Sequence, residues 1–186
     1  MATPSRRAWG WHQLSPEWAA RLVAGAAVHR GDLVLDVGAG RGVVTAALLA
    51  SGARVIAIEA HPERAAHLRR RFGDEVTVVR ADAADLRLPR RPFHVVANPP
   101  FGITTPLLRR LLSSGGRLVA AHLVLQDQAA RRWAAPDAPG RGRWGVDHTV
   151  ALGPAVPRRA FTPPPRVAAR VLVVTGPLAP AGGRRR

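Results

Sequence analysis

The stretch LVLDVGAGRG, residues 33–42, is the part of the sequence that best predicts the fold. Its first half, LVLDV, is a short apolar run typical of a buried strand, and glycines follow it at positions 38, 40 and 42. Glycine lets the backbone turn tightly and approach a ligand without an intervening side chain. The apolar residues after Gly42 predict a helix to about Ser51. A strand, a glycine loop and a helix in this order are typical of a doubly wound α/β fold.

Outward from this stretch, strand patterns and helix patterns alternate along most of the chain. Short apolar runs predict strands at 33–37, 53–59, 75–82, 93–99 and 117–125. Helices are predicted from Ser15, at 43–51, at 61–72, from a cap at Thr105, and at 126–134. Two later strands, 146–153 and 166–174, have no full helix between them, which indicates an antiparallel addition at one edge. The predicted fold class is α/β: a Rossmann-like, doubly wound, mostly parallel seven-stranded sheet with an antiparallel edge strand.

Length and composition predict one main domain with two short flanking segments. The chain has 186 residues, of which 47% are hydrophobic and 22% charged, as in globular rather than disordered proteins. We predict a basic and aromatic N-terminal arm over 1–14, an α/β domain over 15–175 and a basic disordered tail over 176–186.

The charge of the chain is strongly unbalanced. Lys and Arg number 28 against 12 Asp and Glu, which gives a formal net charge of +16, and every one of these cations is an arginine. Such an excess creates a positive field that attracts polyanions. Nucleic acid is therefore the leading predicted partner, and an acidic membrane surface is the weaker alternative.

Other site types and locations are disfavoured by what the sequence lacks. Cysteine is absent, so there is no disulfide, thiolate metal ligand or cysteine nucleophile, and the seven histidines are too scattered to predict a metal site. No apolar run approaches the roughly 20 residues that span a bilayer, and no apolar segment follows the first arginines. We expect a cytoplasmic, monomeric protein without a membrane span or a metal.

The glycine loop predicts a cofactor that carries a ribose. Glu59 ends the next strand, where an acidic side chain can accept hydrogen bonds from a ribose diol. These features also suit a nicotinamide dinucleotide, but the spacing is G-x-G-x-G, with Val43 where the dinucleotide pattern has its last glycine. Asp36, two residues before Gly38, suits a cationic sulfonium ligand better than a pyrophosphate. A carboxylate at Asp82, beside Ala83, can accept from an adenine amino group.

The sequence Asn98-Pro99-Pro100-Phe101 closes the fourth predicted strand and is the sharpest chemical signal in the chain. The side-chain carbonyl of Asn98 and the backbone carbonyl of Pro99 can hold the two N–H groups of an exocyclic amine, whose lone pair then attacks a methyl group. Phe101 offers a face on which an extruded base can stack. A proline-rich turn with a core Phe is the structural alternative.

Together these segments resemble the Erm family of 23S rRNA adenine-N6 methyltransferases, relatives of the 16S rRNA adenine dimethylases. The resemblance covers almost the whole chain in family order, through RRAWGWHQLSPEW, DVGAGRG, VIAIEAHPERA, RADAADLRLP, RPFHVVANPPFGITTPLLRRLL, LVLQDQAARRW and FTPPPRVAARVLVV. It implies a class I methyltransferase fold, S-adenosyl-L-methionine as cofactor and 23S rRNA as partner. The implied product is N6-methyladenine in the peptidyl-transferase region, which confers macrolide-type antibiotic resistance.

The resemblance also assigns roles to particular residues. Asn98, Pro99 and Phe101 would be catalytic, with Phe101 stacked on the target adenine; Phe161 would stack from the other side or simply pack. The implied cofactor-binding residues are His12, Leu14, Gly38, Gly40, Glu59, Asp82, Ala83 and Asn98. The N-terminal motif GWHQL departs from the G-Q-N-F-L type of the family.

A second departure concerns RNA binding. The family usually continues into a small helical domain that helps to grip RNA, whereas this sequence resembles a short form that lacks it. RNA binding would then depend on the arginines of the main domain and on the arm. The candidates are Arg6, Arg7, Arg109, Arg110, Arg131, Arg132, Arg158 and Arg159, with Trp9 and Trp11 as platforms on which bases can stack.

Five alternatives can be stated from the sequence. The same chemistry can methylate an adenine of 16S rRNA or of DNA. Related NPP[FY] loops also occur in enzymes that methylate glutamine side chains of proteins. A further alternative is a nicotinamide oxidoreductase, but the reaction of such an enzyme does not explain the NPPF loop. An RNA-binding module without turnover would have no reason to keep that loop together with Glu59 and Asp82.

Overall fold

The computed structural model describes residues 12–113 and 117–177. The strands are β1 (Gln13–Leu14), β2 (Leu33–Val37), β3 (Arg54–Ile58), β4 (Val76–Val79), β5 (Phe93–Ala97), β6 (Leu118–Gln126), β7 (Thr149–Val156), β8 (Phe161–Thr162) and β9 (Ala169–Thr175). The helices are α1 (Pro16–Gly25), α2 (Val43–Ala50), α3 (Pro62–Phe72), α4 (Thr104–Leu111), α5 (Asp127–Ala134) and α6 (Arg141–Trp144).

Seven strands form one sheet in the order β4-β3-β2-β5-β6-β9-β7. The strands from β4 to β6 in this order pair in parallel, whereas β9 pairs antiparallel with both β6 and β7. The predicted fold class is thus confirmed, with the antiparallel addition at the β7 edge. The chain order reverses between β2 and β5, so the loops that follow these two strands diverge there and leave a crevice for a ligand.

Apolar side chains cover both faces of the sheet because successive residues of a strand point to opposite sides. On one face, Leu35 and Phe93 pack with Leu107 of α4. On the other, Val34 and Val55 pack with helices α1 to α3. The buried strand pattern of β2, in which all five residues are buried, follows from its central place in a sheet covered on both sides.

Helix α1 begins as the sequence predicts, whereas helix α4 does not. At α1 the hydroxyl of Ser15 accepts from the backbone N–H of Trp18 at 3.3 Å, as expected for an N-cap. At α4 the predicted cap at Thr105 is wrong. A 3₁₀ turn over Phe101–Ile103 leads into the helix, which begins at Thr104, and the Thr104 hydroxyl donates to the carbonyl of Phe101 at 3.0 Å.

Several local features differ from the sequence prediction. The segment predicted as loop over 135–145 contains the short helix α6, and the strand predicted at 146–153 begins three residues later. The last residues of the predicted arm form β1, which pairs antiparallel with β8. Residues 1–11 of the arm, which include Arg6, Arg7, Trp9 and Trp11, lie outside the described residues, as do positions 178–186 of the predicted tail. Within the described ranges, no helix is long and apolar enough to cross a membrane.

Candidate active site

Two loops meet at the carboxyl ends of β2 and β5. Gly38 has φ +75°, and a Cβ atom placed on it would lie 2.6 Å from Pro100 Cδ and 3.3 Å from Pro99 Cα. Both Gly38 and Ala39 donate their N–H groups to the carbonyl of Ile58, at 2.8 and 3.1 Å. A side chain at position 38 would therefore push the glycine loop and the NPPF loop apart, and glycine is required there for space as well as for its positive φ.

A cleft of ≈ 490 Å³, including space open to solvent, lies where the two loops meet. It brings together seven of the predicted site residues, which are His12, Leu14, Gly38, Gly40, Asn98, Pro99 and Phe101. Four further lining residues, Asp36, Arg41, Val43 and Val44, come from β2, the glycine loop and the start of α2. Glu59, Asp82 and Ala83 are not among the residues that line this cleft.

The side chain of Asn98 is oriented by the N-terminal segment. Its Nδ2 donates to the backbone carbonyl of His12 at 2.8 Å. With the NH₂ group engaged in this way, the acceptor that Asn98 can offer a substrate is its side-chain oxygen. The carbonyls of Pro100 and Phe101 accept from Ile103 N and Thr104 Oγ1, whereas no hydrogen bond of the described residues uses the Pro99 carbonyl. The two acceptors predicted to hold an amine are thus free for it.

The imidazole of His12 joins three segments that are far apart in sequence. Its Nδ1 donates to the backbone carbonyl of Pro163 at 2.8 Å. Its ring centroid lies 5.7 Å from that of Phe101, with the planes tilted by 32°. Leu14, two residues later, is buried beneath the cleft. The arm motif therefore closes one wall of the cleft, held there by the ladder between β1 and β8.

Glu59 acts on the cleft through the glycine loop. Its carboxylate is 4% exposed; Oε2 accepts from Gly40 N and Oε1 from the backbone N–H of His61, both at 2.8 Å. These two bonds fix the loop relative to β3. A carboxylate offers about four acceptor positions, so two backbone donors leave capacity for further hydrogen bonds.

Asp36 is the most perturbed acid of the described residues. It is 1% exposed, and Thr45 Oγ1 donates to its Oδ2 at 2.6 Å. The pKa of Asp36 is raised to about 7, mainly by burial; the hydrogen bond from Thr45 opposes this rise and the nearby carboxylate of Glu59 adds to it. A cationic ligand in the cleft would favour the charged form of this carboxyl group. The sequence placed Asp36 beside the glycines but gave no sign of its bond to Thr45.

Three predicted residues lie away from the cleft. Asp82 is exposed, and its backbone carbonyl accepts from Asp85 N at 3.1 Å. Ala83 is buried and begins a 3₁₀ turn. Phe161 is 2% exposed, belongs to the apolar core and is not among the residues that line the cleft. Of the two roles expected for Phe161, stacking or packing, the structure therefore shows packing, because β8 turns the ring inward.

The candidate RNA-binding arginines within the described residues have different surroundings. Several make contacts within the protein: Arg110 Nε donates to Leu86 O, Arg158 Nε to Pro165 O, Arg131 Nε pairs with Asp127 and Arg132 with Asp137. Arg109 and Arg159 are exposed. In the described part of the chain, no three His, Asp or Glu side chains are placed to hold a metal ion.

Comparison with known proteins identifies the family. A family model described as ribosomal RNA adenine dimethylase matches residues 12–177. The chain belongs to the ribosomal RNA adenine dimethylase family. The predicted class I fold and cofactor are confirmed, since this family and its structural neighbours are S-adenosylmethionine-dependent methyltransferases. The resemblance found in the sequence is confirmed at the level of this dimethylase family.

Two sequence relatives within this dimethylase family carry different names. Ribosomal RNA small subunit methyltransferase A of Anaeromyxobacter sp. (strain K) is 36% identical in an alignment 192 residues long, gaps included, that covers 90% of this chain and 66% of the relative. Mycinamicin-resistance protein MyrB of Micromonospora griseorubida is 39% identical over 160 residues, which cover 79% of this chain and 48% of MyrB. The chain thus spans less than two thirds of either relative.

Solved structures agree on the fold of this chain. The 23S rRNA methyltransferase ErmE superposes with a TM-score of 0.76 at 25% identity, over 90% of this chain and 70% of ErmE. A dimethyladenosine transferase from Plasmodium falciparum superposes with a TM-score of 0.75 at 26% identity, over 89% of this chain and 63% of that one.

Proposed function

We propose that this chain transfers methyl groups from S-adenosylmethionine to the N6 amino group of an adenine in ribosomal RNA. The observation that carries the proposal is the meeting of the NPPF loop with the glycine loop at Gly38, within one cleft. A methyl donor held by the glycine loop and an amine held by Asn98 and Pro99 would face each other there. An rRNA substrate would place the protein in the cytoplasm.

The residues of the cleft fit the cofactor. S-Adenosylmethionine supplies an activated methyl group on a positively charged sulfur, and the buried carboxyl group of Asp36 suits a cation. Gly38 and Gly40 allow close approach of the backbone, and Leu14, Val43 and Val44 provide apolar walls. Three further residues do not line the cleft and would contact a cofactor only where it extends beyond it: Glu59 would accept from the ribose hydroxyls, and Asp82 and Ala83 would contact the adenine end.

The NPPF loop would orient the substrate amine. Asn98 Oδ1 and the Pro99 carbonyl accept its two N–H groups, which turns the nitrogen lone pair toward the methyl group. The same two oxygens offset the positive charge that develops on the nitrogen. Phe101, which is partly exposed in the cleft, supports the extruded base from one side.

We propose 23S rRNA as the target, at the peptidyl-transferase region, with macrolide-type antibiotic resistance as the consequence. The family order of the sequence segments, the similarity to MyrB and the structural similarity to ErmE support this target. A second candidate is 16S rRNA, because small subunit methyltransferase A relatives match 90% of the chain. The number of methyl groups added is left to experiment.

The test is methyl transfer from radiolabelled S-adenosylmethionine to protein-free 23S rRNA, 16S rRNA and DNA, with the modified base mapped by primer extension. We expect label at an adenine of the peptidyl-transferase loop, and none when Asn98→Ala replaces the wild-type protein. Label confined to 16S rRNA would keep the chemistry and overturn the 23S target. Cofactor binding without label on any of these substrates, or on ribosomal particles, would overturn the proposed activity.

A further inference from the structure

A second cavity opens at the end of α4 that is remote from the catalytic loop. Its volume is ≈ 1100 Å³, including space open to solvent, and we call it the tryptophan cavity. The residues that matter for its chemistry are Arg109, Leu112, Trp133, Pro139, Arg143 and Trp144. The proposed methyl transfer uses none of them.

The floor of the tryptophan cavity is apolar. Trp133 and Trp144 are 3% and 6% exposed, with ring centroids 6.5 Å apart, and they form this floor together with Leu112 and Pro139. The indole N–H of Trp144 donates to the carbonyl of Pro139 at 2.9 Å, so this polar atom is satisfied within the protein. The floor thus suits a flat, largely apolar group such as a nucleobase.

The rim of the tryptophan cavity is positively charged. Arg109 and Arg143 are both exposed at the rim, and none of the described lining residues is acidic. The guanidinium group of Arg141 lies 5.7 Å from the centre of the Trp144 ring and adds a third cation. The nearby carboxylate of Asp137 is paired with Arg132 at 2.8 Å. Cations around an apolar floor are the arrangement by which proteins hold single-stranded nucleic acid.

The distance from the catalytic loop suits the same RNA strand. Helix α4 begins directly after the 3₁₀ turn over Phe101–Ile103 and ends at Leu111, beside the tryptophan cavity. Its eight residues span about 12 Å at about 1.5 Å per residue. Adjacent nucleotides of a stacked strand are about 3.4 Å apart, so a few nucleotides bridge this length.

We propose that the tryptophan cavity binds an unpaired nucleotide of the substrate RNA near the target adenine, with its base on the apolar floor and the neighbouring phosphates on Arg109 and Arg143. This inference rests on the proposed rRNA substrate. It assigns RNA binding to the α4–α6 side of the domain. It also gives Arg109 and Arg110 different roles, because Arg109 would bind RNA whereas the guanidinium group of Arg110 donates to the Leu86 carbonyl.

The test compares two double variants that lose the same charge. Arg109→Gln/Arg143→Gln changes the cavity rim, and Arg54→Gln/Arg70→Gln changes exposed arginines on β3 and α3. Affinity for labelled fragments of 23S and 16S rRNA is measured without cofactor over a range of salt concentrations. Each phosphate contact on a single strand contributes about 0.7 to the salt slope, so we expect the rim variant to lower the slope by about 1.4 and the affinity about 25-fold in 0.1 M salt.

The control variant should bind within about threefold of the wild type. Equal affinities and slopes for the two variants would overturn the proposal, and would be the result if an apolar segment of a protein occupies the cavity. Methylation assays on the same proteins distinguish this proposal from the proposed function. If the wild type methylates no rRNA but the rim variant still loses affinity for RNA, the proposed activity is overturned and the proposed RNA site is supported. If the wild type methylates rRNA and the rim variant binds RNA with unchanged affinity, only the proposed RNA site is overturned.

Discussion

At the residue scale, the chemistry of the cleft depends on side chains whose neighbours lie far away in sequence. Asn98 is oriented by the carbonyl of His12, and the ring of His12 by the carbonyl of Pro163. Asp36 is shielded from water and bonded to Thr45. Each of these polar groups has a defined partner, so the cleft is organised before any ligand binds.

The two functions of the Asn98 amide can be separated by substitution. Asn98→Ala removes the proposed acceptor for the amine, and we expect kcat to fall by about 10²- to 10³-fold, as when one group that stabilises a transition state is lost. Asn98→Asp keeps an acceptor oxygen, loses the donor to His12 and adds a negative charge. Because the acceptor is kept, it should retain more activity than the alanine variant. Cofactor affinity, measured by calorimetry, should stay within a few-fold of wild type.

Equal turnover by wild type and Asn98→Ala would contradict the catalytic role. Equal loss in the alanine and aspartate variants would instead assign the effect to the bond with His12.

The titration of Asp36 should be visible in the stability of the protein. Because burial raises its pKa in the folded state from 3.8 to about 7, the folded state holds this proton more tightly than the unfolded chain. The free energy of unfolding relative to Asp36→Asn should therefore be highest below about pH 4, fall as the pH rises to about 7, and then level off. The fall should not exceed about 4 kcal/mol, at about 1.4 kcal/mol per pH unit.

Urea denaturation of both proteins between pH 4 and pH 8 measures this difference. The asparagine can still accept from Thr45, which makes it a suitable control for the hydrogen bond. A difference that stays constant over this range would mean that Asp36 titrates with an ordinary pKa.

At the scale of elements, the cleft is made by the approach of two loops that end parallel strands. The loop after β2 turns through Gly38, and the loop after β5 carries the two prolines against it. The short ladder between β1 and β8 then brings the N-terminal segment over the same place. Parallel strands end at one edge of a sheet, which is why residues about 60 positions apart in sequence can share a site.

Gly38→Ala should damage the cleft more than a comparable glycine substitution elsewhere. The added methyl group meets Pro100 at 2.6 Å and also takes an unfavourable φ of +75°. Gly31 has φ +85°, and a Cβ atom placed on it would meet no atom within 4 Å, so Gly31→Ala carries the backbone strain of about 1–2 kcal/mol without the collision. We expect thermal unfolding to show some destabilisation in both variants. Calorimetry should show cofactor binding that is at least about tenfold weaker for Gly38→Ala only. Equal cofactor affinity in the two variants would contradict the close approach of the loops.

At the scale of the whole molecule, the excess of arginines has two effects. It creates a positive electrostatic field around the protein, and individual arginines make contacts within the fold. The formal charge of +16 favours any polyanion. Some arginines also hold the fold together, such as Arg170, whose Nε donates to Asp127 at 2.6 Å. Burial and hydrogen bonding therefore decide which arginines remain available to RNA.

Binding of rRNA fragments should weaken steeply with salt. Six phosphate contacts on single-stranded RNA, at about 0.7 each, give a slope of about −4 in a plot of log affinity against log salt concentration. Filter binding at salt concentrations from about 50 to about 200 mM measures this slope. Calorimetry with S-adenosylhomocysteine is the control, since this small ligand carries no phosphates and should bind almost independently of salt. A slope near zero for the RNA would mean that the arginines do not form the binding surface.

The sequence by itself determined the chain order of the seven strands of the main sheet and of helices α1 to α5, together with the glycine loop and the NPPF loop, because these are local patterns of apolar spacing and turn chemistry. It also placed Asp36, Gly38 and Asn98 at strand ends, where an α/β sheet binds ligands. Only the tertiary structure decided which partners these residues have. The bond from Asn98 to His12 joins positions 86 residues apart, and the inward turn of Phe161 follows from β8 pairing with β1. Burial, and with it the pKa of Asp36, is likewise a property of packing, since a linear sequence carries no record of what excludes water from a side chain.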